Sequence, residues 1–149
     1  MADRITTGQV EDRFACFMRT HRATMHRYFQ SIGMFNGHPH MLFHLRRRPG
    51  MTQKELAAVM DISSASVAVS IKRLESAGLV RREKCGREMR LHLTAAGEAM
   101  DTACARGRDF MIKHLYEGLS DEELGTLDTL LAKMTTNLQK ACTTMEETL

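Results

Sequence analysis

The sequence predicts a mainly α-helical fold with one small β-hairpin. Apolar residues recur at steps of three and four over most of the chain, which is the period of a helix that buries one face. Residues 79–93 instead alternate between apolar and polar positions around a short turn, which predicts two paired strands. The chain has 149 residues, enough for one hydrophobic core and too few for two ordinary domains.

Composition disfavours several other classes of protein. With 2 prolines, 5% aromatic residues and no tryptophan, the chain lacks the turns and the aromatic core of a β-sandwich. No stretch approaches the roughly 18 uncharged apolar residues of a membrane span, and residues 1–10 hold no secretion signal. The 4 cysteines form no CxxC pair, which disfavours a disulfide scaffold or structural zinc. We therefore expect a cytoplasmic protein with no membrane partner, metal or cofactor.

The usual marks of an enzyme are also missing from the sequence. It contains no nucleophile elbow, no phosphate-binding glycine loop, no HExxH motif and no paired carboxylates in an apolar setting. A protein that binds a partner is therefore favoured over an enzyme.

Positive charge is concentrated in the middle of the chain. Residues 44–94 hold 11 basic and 5 acidic side chains, whereas residues 1–43 have a net charge of +2 and residues 95–149 a net charge of −5. Such a distribution predicts a surface that binds a polyanion. The alternative is that the arginine runs at 46–48 and 81–82 are merely solvated.

The first helix is predicted over residues 10–28, where apolar residues keep the helical period. Gly33 and the turn-forming residues 36–39 end it. A short second helix around Leu42 then stops at the arginine run before Pro49.

Two further helices follow, separated by a tight turn. Thr52 and Glu55 have the spacing of a capping box, which predicts a helix start at Thr52. After a turn at residues 61–63, Ser63 is placed to cap the next helix. That helix is predicted to end at Gly78, because a residue without a Cβ favours the left-handed conformation beyond a helix end.

The helix over residues 64–77 has two contrasting faces. At 100° per residue, Val67, Ile71 and Leu74 fall within about 60° of one another and should be buried. The opposite face is small, hydroxylated and basic, and it comprises Ala65, Ser66, Val69, Lys72 and Arg73. Such a face can approach a phosphate-lined groove and offer methyl and hydroxyl groups to base edges. The two helices therefore predict a helix-turn-helix.

The hairpin that follows is predicted to be a wing. Its first strand covers residues 79–84, its two-residue turn is Cys85 and Gly86, and its second strand is half-buried through alternating apolar residues at Met89, Leu91 and Leu93. Basic residues at or near the tip can reach phosphates, namely Lys84, Arg87 and Arg90.

Two long helices complete the chain. Thr94 is placed to cap the first, and Ser120 with Glu123 forms a second capping box that opens the last. Apolar residues of the last helix follow alternating steps of three and four, at Leu124, Leu127, Leu131, Met134, Leu138, Ala141 and Met145. This spacing predicts a dimer seam. The alternative is a monomer in which this helix packs only on residues 10–28.

Four segments, in this order, resemble the MarR family of bacterial transcriptional regulators: MTQKELA (51–57), ISSASV (62–67), RLESAGLVRR (73–82) and LHLTAAG (91–97). The resemblance implies one domain over residues 1–149, with a winged helix-turn-helix lobe at 36–94 and helical dimerisation regions at 1–33 and 95–149. It implies a homodimeric, nucleoid-associated repressor whose two recognition helices enter successive major grooves of a pseudo-palindromic operator in double-stranded DNA.

Residue chemistry and the resemblance together predict the DNA contacts: Thr52, Gln53, Ser63, Ser64, Ala65, Ser66, Val69, Ser70, Lys72, Arg73, Lys84, Arg87 and Arg90. This sequence departs from the family at three places. Val69 replaces an arginine found in many members, which predicts base readout through methyl contact and through Lys72 or Arg73. Cys85 replaces an aspartate of the wing, so the wing's usual salt bridge is not expected. Asp61 replaces a glycine of the turn and should tolerate its backbone angles.

Regulation by a small aromatic or anionic effector is a further implication of the resemblance. The effector pocket is predicted around Phe17, His21, Met41, Phe43 and His44. The alternative is that these five residues belong to the core.

Two other sensors and one other function stay open. Cys16 lies where a peroxide-sensing branch of the family keeps its reactive thiol, although a small buried hydrophobe is the favoured interpretation. His38, His40 and His44 are close in sequence, but no cysteine or acidic partner lies beside them for a metal. A winged helix that binds proteins without DNA affinity would carry acidic or apolar residues over residues 65–73.

Overall fold

The computed structural model of the chain describes residues 4–34 and 38–148. These residues form six α-helices and one antiparallel two-stranded sheet, which confirms the predicted fold class. The elements are α1 (Thr7–Ser31), α2 (His38–Arg47), α3 (Gln53–Met60), α4 (Ser64–Ser76), β1 (Val80–Cys85), β2 (Glu88–Leu93), α5 (Ala95–Leu115) and α6 (Asp121–Thr148). Residues 36 and 37 of the predicted turn lie outside the described residues, and the prediction is wrong for residues 38 and 39, which form the start of α2 because proline is tolerated in the first turn of a helix. None of the described helices combines the length and apolar composition that a membrane crossing requires.

The chain divides into two compact units at Phe110 and Met111, within α5. The first unit holds α1 to α4, the hairpin and most of α5, and the second holds the end of α5 and α6. The lobe at residues 36–94 and its flanking dimerisation regions remain predictions.

The core of the first unit lies between α2, α3, α4 and the hairpin. Val67, Ile71 and Leu74 are at most 1% exposed, which confirms the predicted buried face of α4. They pack in one cluster with apolar residues of the neighbouring elements, including Met41, Leu42, Leu45, Leu56, Leu79, Val80 and Leu91. Met51 extends the sheet, because its carbonyl accepts from the Leu91 amide at 2.8 Å.

The helix boundaries around the turn follow the predicted caps. The Glu55 amide donates to the Thr52 hydroxyl at 3.2 Å, and the Thr52 amide donates to the Glu55 carboxylate at 2.7 Å. The Ser63 hydroxyl accepts from the Ser66 amide at 3.1 Å and caps α4. Asp61 ends α3 with φ 51° and ψ 47°, the left-handed conformation expected there.

The segment after the hairpin joins three elements at one place. The Thr94 hydroxyl donates to the Gly78 carbonyl at 2.6 Å and accepts from the Gly97 amide at 3.0 Å, so it caps α5 and holds the end of α4. Gly97 lies directly against the Leu79 carbonyl, where a Cβ would overlap the oxygen. The LTxxG pattern of the sequence is therefore a packing requirement.

The predicted turn of the hairpin is wrong by one position. Cys85 pairs with Glu88, so the two turn residues are Gly86 and Arg87 rather than Cys85 and Gly86. Gly86 has φ 62°, and a left-handed first turn position favours glycine. Met89 is 44% exposed, more than predicted, because it lies near the tip beyond the core.

Two helices carry apolar faces that the single chain leaves exposed. The α1 helix extends beyond the predicted residues 10–28 at both ends and starts with a capping box that the prediction missed, Thr6 with Gln9. Its apolar residues Val10, Phe14 and Phe17 are 50%, 39% and 43% exposed. On α6, which opens with the predicted box of Ser120 and Glu123, most of the heptad positions are exposed, including Leu127, Leu131, Met134, Leu138 and Met145.

We predict that Gly97→Ala lowers the free energy of unfolding by about 1–3 kcal/mol, because the added methyl group must displace the Leu79 backbone. Urea denaturation followed by circular dichroism measures the loss. Gly125→Ala on α6 is the control, since nothing lies near its added Cβ and helix propensity predicts a gain of up to about 1 kcal/mol. An unchanged free energy of unfolding for Gly97→Ala would contradict the packing requirement.

Candidate nucleic-acid interface

One face of α4 carries the predicted recognition residues. Ala65, Ser66, Val69, Lys72 and Arg73 are all exposed, on the side opposite the buried residues of the helix. The structure therefore brings the predicted small and basic side chains together on one accessible surface.

Serine hydroxyls and backbone amides surround the start of α4. The Ser63 and Ser66 hydroxyls lie 2.9 Å apart and hydrogen bond to each other, while Ser64 is exposed and Ser70 is half-buried. No acidic residue occupies the first turn of the helix. Since the partial positive charge of a helix N-terminus attracts anions, this end of α4 suits a phosphate.

The one acidic residue of α4 is neutralised by the hairpin. Both carboxylate oxygens of Glu75 accept from Nε of Arg82 at 2.9 Å. This ion pair is about one-third exposed, and it joins the recognition helix to β1. The exposed face of α4 consequently keeps the positive charges of Lys72 and Arg73.

The basic residues between 44 and 94 fall into two groups. The first group is paired with carboxylates: Arg46 with Glu98 at 3.8 Å, Arg48 with Glu55 at 3.4 Å, Arg81 with Glu83 at 2.7 Å, Arg82 with Glu75 at 2.9 Å, and Arg90 with Glu88 at 2.7 Å. The second group is exposed and has no ion-pair partner within residues 4–34 and 38–148; on α4 and the wing it comprises Lys72, Arg73, Lys84 and Arg87. The second group also includes Arg47 on α2 and Lys54 on α3. We call only its four members on α4 and the wing the free cations.

Arg90 has a structural position that the prediction did not foresee. One of its guanidinium nitrogens donates to the Gly50 carbonyl at 2.9 Å, and the other pairs with Glu88. The side chain thus ties the wing to the connection between α2 and α3 instead of projecting from the tip.

The wing is held by ion pairs that do not involve Cys85, the residue that replaces the aspartate of the family's usual salt bridge. Besides the Arg90 pair, Arg81 donates to Glu83, and His92 lies 3.7 Å from the same carboxylate. The hydrogen bond and charge of Arg81, with a smaller contribution from His92, lower the pKa of Glu83. An anionic Glu83 is therefore the stable form in this cluster.

Two polar side chains at the start of α3 differ in their hydrogen bonding. The Thr52 hydroxyl serves the capping box, where the Thr52 backbone amide and then its side chain lower the pKa of Glu55. The side-chain nitrogen of Gln53 is shielded from solvent and has no hydrogen-bond partner among the residues that the structure describes. Such a donor gains from any acceptor brought to this helix end.

The five residues of the predicted effector pocket do not line one cavity. Phe43 and His44 line a cavity of about 440 Å³ together with Arg47, Arg48, Met51 and Val59. Met41 is instead 2% exposed in the core, and the Phe17 ring lies beside the His21 ring along α1, tilted by 36° with ring centres 6.0 Å apart. Beside the cavity, the guanidinium carbons of Arg47 and Arg108 each lie 5.3 Å from the centre of the Phe43 ring.

The cysteines differ sharply in accessibility. Cys16 is exposed in the single chain, so the favoured interpretation of a buried side chain is wrong there. Cys104 is fully buried, and burial with the nearby charge of Asp101 raises its pKa to about 11. The Cys104 thiol is therefore protonated and unreactive at neutral pH.

The histidines in the described part of the chain are not arranged as a metal site. No group of three or more His, Cys, Asp or Glu side chains is arranged there to hold an ion. The side chain of His38 lies outside the described residues.

Comparison with known proteins gives concordant matches. A sequence profile of the MarR family matches residues 35–90. A transcriptional regulatory protein for the hcr operon of Thauera aromatica is 32% identical over 102 residues, which span 63% of this chain and 58% of that protein. A solved MarR family transcription regulator has a TM-score of 0.81 at 23% identity, covering 90% of this chain and 91% of its own. A mutant of MepR from Staphylococcus aureus, bound to an oligodeoxyribonucleotide, has a TM-score of 0.62 at 22% identity, covering 91% and 99%.

The solved structures confirm the predicted fold, and the profile match over residues 35–90 agrees with the suspected family. The solved structures share the winged-helix fold with this chain, and the profile match contains α2, α3, α4 and most of the hairpin. The matched family and the named relatives are transcription regulators and not enzymes, in agreement with the prediction from motifs.

Proposed function

Because residues 35–90 match the MarR family of transcriptional regulators, we propose that the chain belongs to this family, binds double-stranded DNA sequence-specifically and represses transcription as a homodimer. The observation that carries this proposal is the position of the free cations. They lie on the exposed face of α4 and near the tip of the wing, whereas the other arginines of the hairpin are paired. A cytoplasmic, nucleoid-associated location goes with this function.

Each part of the surface has a distinct role in the proposed complex. The α4 face enters the major groove, where its short side chains bring the helix close to base edges. The free cations contact phosphates, which supplies affinity and fixes the orientation of the protein. Thr52, Gln53 and Ser63 lie at helix starts, where backbone amides also meet phosphates. Arg90 acts indirectly, by holding the wing against Gly50.

A second copy of the chain is the proposed occupant of the exposed apolar faces. Leu138 and Met145 on α6 are 72% and 65% exposed, and α1 exposes Val10, Phe14 and Phe17. Apolar rows of this length on a single chain are typical of protein interfaces. Two copies present two recognition helices, as an operator with two half-sites requires.

The rival function, a winged helix that binds only proteins, is less well supported. Such a module would present acidic or apolar side chains along residues 65–73. Here Lys72 and Arg73 have no ion-pair partner among the described residues, and the nearby Glu75 is neutralised by Arg82. The net positive face favours a polyanion.

We further propose that a small aromatic anion binds the cavity beside Phe43 and regulates DNA binding. Arg47 and Arg108 place positive charge on the Phe43 ring, and the cavity wall includes the apolar side chains of Met51 and Val59. Ring and charge together suit an aromatic carboxylate or phenolate. To regulate, the ligand must prefer one arrangement of the DNA-binding surfaces over another.

Arg73→Ala is expected to weaken binding to the selected operator at least tenfold without changing the oligomeric state, because it removes an exposed cation from the recognition surface. Gel-shift titration measures affinity on a duplex recovered by in vitro selection, and sedimentation velocity measures the oligomeric state. Arg46→Ala, whose guanidinium pairs with Glu98, is the control and should bind nearly as the wild type does. Wild-type affinity in Arg73→Ala would remove its assigned role.

Lys84→Ala is expected to reduce binding to all DNA sequences alike and to flatten the dependence of log affinity on log salt concentration by about one unit for each bound copy. Fluorescence anisotropy at several salt concentrations measures this slope. Arg81→Ala lies on the same strand, but its charge is paired with Glu83, so its slope should match the wild type. Equal slopes for Lys84→Ala and the wild type would show that the wing tip does not touch phosphate.

An aromatic carboxylate such as salicylate is expected to raise the melting temperature of the wild type, since a ligand of the native state stabilises it by mass action. Arg47→Ala should abolish the rise because it removes a charge beside the cavity. Cumene hydroperoxide and zinc are tested in parallel by the same measurement. A change in melting temperature with cumene hydroperoxide that is lost in Cys16→Ser would favour the thiol sensor. A rise in melting temperature with zinc would favour the histidine site. A rise that persists in Arg47→Ala would contradict this cavity as the effector site.

A further inference from the structure

The DNA face of α4 lacks two kinds of base-reading side chain. Asparagine and glutamine read adenine through paired hydrogen bonds, and aspartate and glutamate accept from cytosine. None of these four residue types occurs between residues 64 and 74. The face is left with cations, which suit guanine, with hydroxyls, which are tolerant, and with methyl groups.

Val69 occupies the centre of this face. At 100° per residue, Ala65, Ser66, Lys72 and Arg73 all fall within about 60° of it, one helical turn to either side. Its side chain is 54% exposed, and the buried residues of the helix lie on the opposite side. An apolar group therefore stands at the point of closest approach to a groove, with basic groups beside it.

Valine at position 69 does not stabilise the fold. Valine is a weaker helix former than alanine, and its exposed methyl groups gain nothing from the core. In a helix, however, a β-branched side chain is almost confined to one rotamer, so its methyl groups are presented in a fixed direction. The neighbouring Ser66 hydroxyl already hydrogen bonds to Ser63. The surface beside Val69 therefore does not require a polar group from the DNA.

Duplex DNA offers one apolar group in its major groove, the C5-methyl group of thymine. We propose that Val69 reads a thymine in each half-site by direct methyl contact, and that Arg73 anchors the helix one turn further on. This inference rests on the proposed DNA binding. It makes Val69 a specificity-determining residue of the recognition helix.

The test is a double-mutant cycle. One arm removes the thymine methyl group from the DNA, and the other removes the methyl groups of Val69 from the protein. In the selected operator, deoxyuridine replaces thymine at symmetric pairs of positions, one pair at a time, which deletes only the C5-methyl group. Loss of about 0.8 kcal/mol per buried methyl group corresponds to about a fourfold weakening for each half-site and about 15-fold for both. The wild type should show this loss at one pair of positions, and Val69→Ala should be insensitive to the same replacement.

Two controls separate the outcomes. Arg46→Ala, whose guanidinium pairs with Glu98, leaves every residue of the α4 face in place and should keep the sensitivity to deoxyuridine. At the sensitive pair, 5-methylcytosine should bind the wild type more tightly than cytosine does, and Val69→Ala should not distinguish them. If the wild type binds tightly but no deoxyuridine effect disappears in Val69→Ala, the methyl contact is overturned. If the wild type binds no duplex at all, the proposed function itself fails.

Discussion

The close contact between Gly97 and the Leu79 carbonyl is the constraint on which the proposed DNA-binding surface depends. At this point the end of α4, the start of β1 and the start of α5 meet, and the Thr94 hydroxyl bonds to Gly78 across the junction. A side chain at position 97 would force these elements apart. The direction of α4 is therefore set by backbone packing at its end, away from the exposed face.

Charge pairing divides the basic residues of α4 and the wing into those that hold elements together and those that stay exposed. Arg82 fixes α4 to the wing through Glu75, and Arg90 fixes the wing to Gly50. Since exposed ion pairs contribute little stability each, their main effect is on geometry and on local charge. Because Arg82 neutralises Glu75, the positive charges of Lys72 and Arg73 dominate the electrostatic field of α4.

Local signals predicted the secondary structure well because their physics is local. The capping boxes, the serine cap of α4 and its buried face all involve residues within one or two helical turns. The hairpin turn was misplaced by one residue because Gly86 fits either of two neighbouring registers. Contacts between distant residues escaped prediction: Arg90 bonds to a carbonyl forty positions earlier, and Arg108 reaches Phe43 from another helix. Which cations are free, and which predicted effector residues share a cavity, follow from such contacts.

The central claim is that two copies of the chain place their α4 helices in neighbouring major grooves of one duplex. In vitro selection of the unmodified protein against a randomised duplex library tests it most directly. The account predicts enrichment of an inverted repeat whose half-sites are centred about one helical turn apart, roughly 10 base pairs, or a multiple of that distance. Failure to enrich any duplex, or enrichment of a single unrepeated half-site by a monomer, would contradict it.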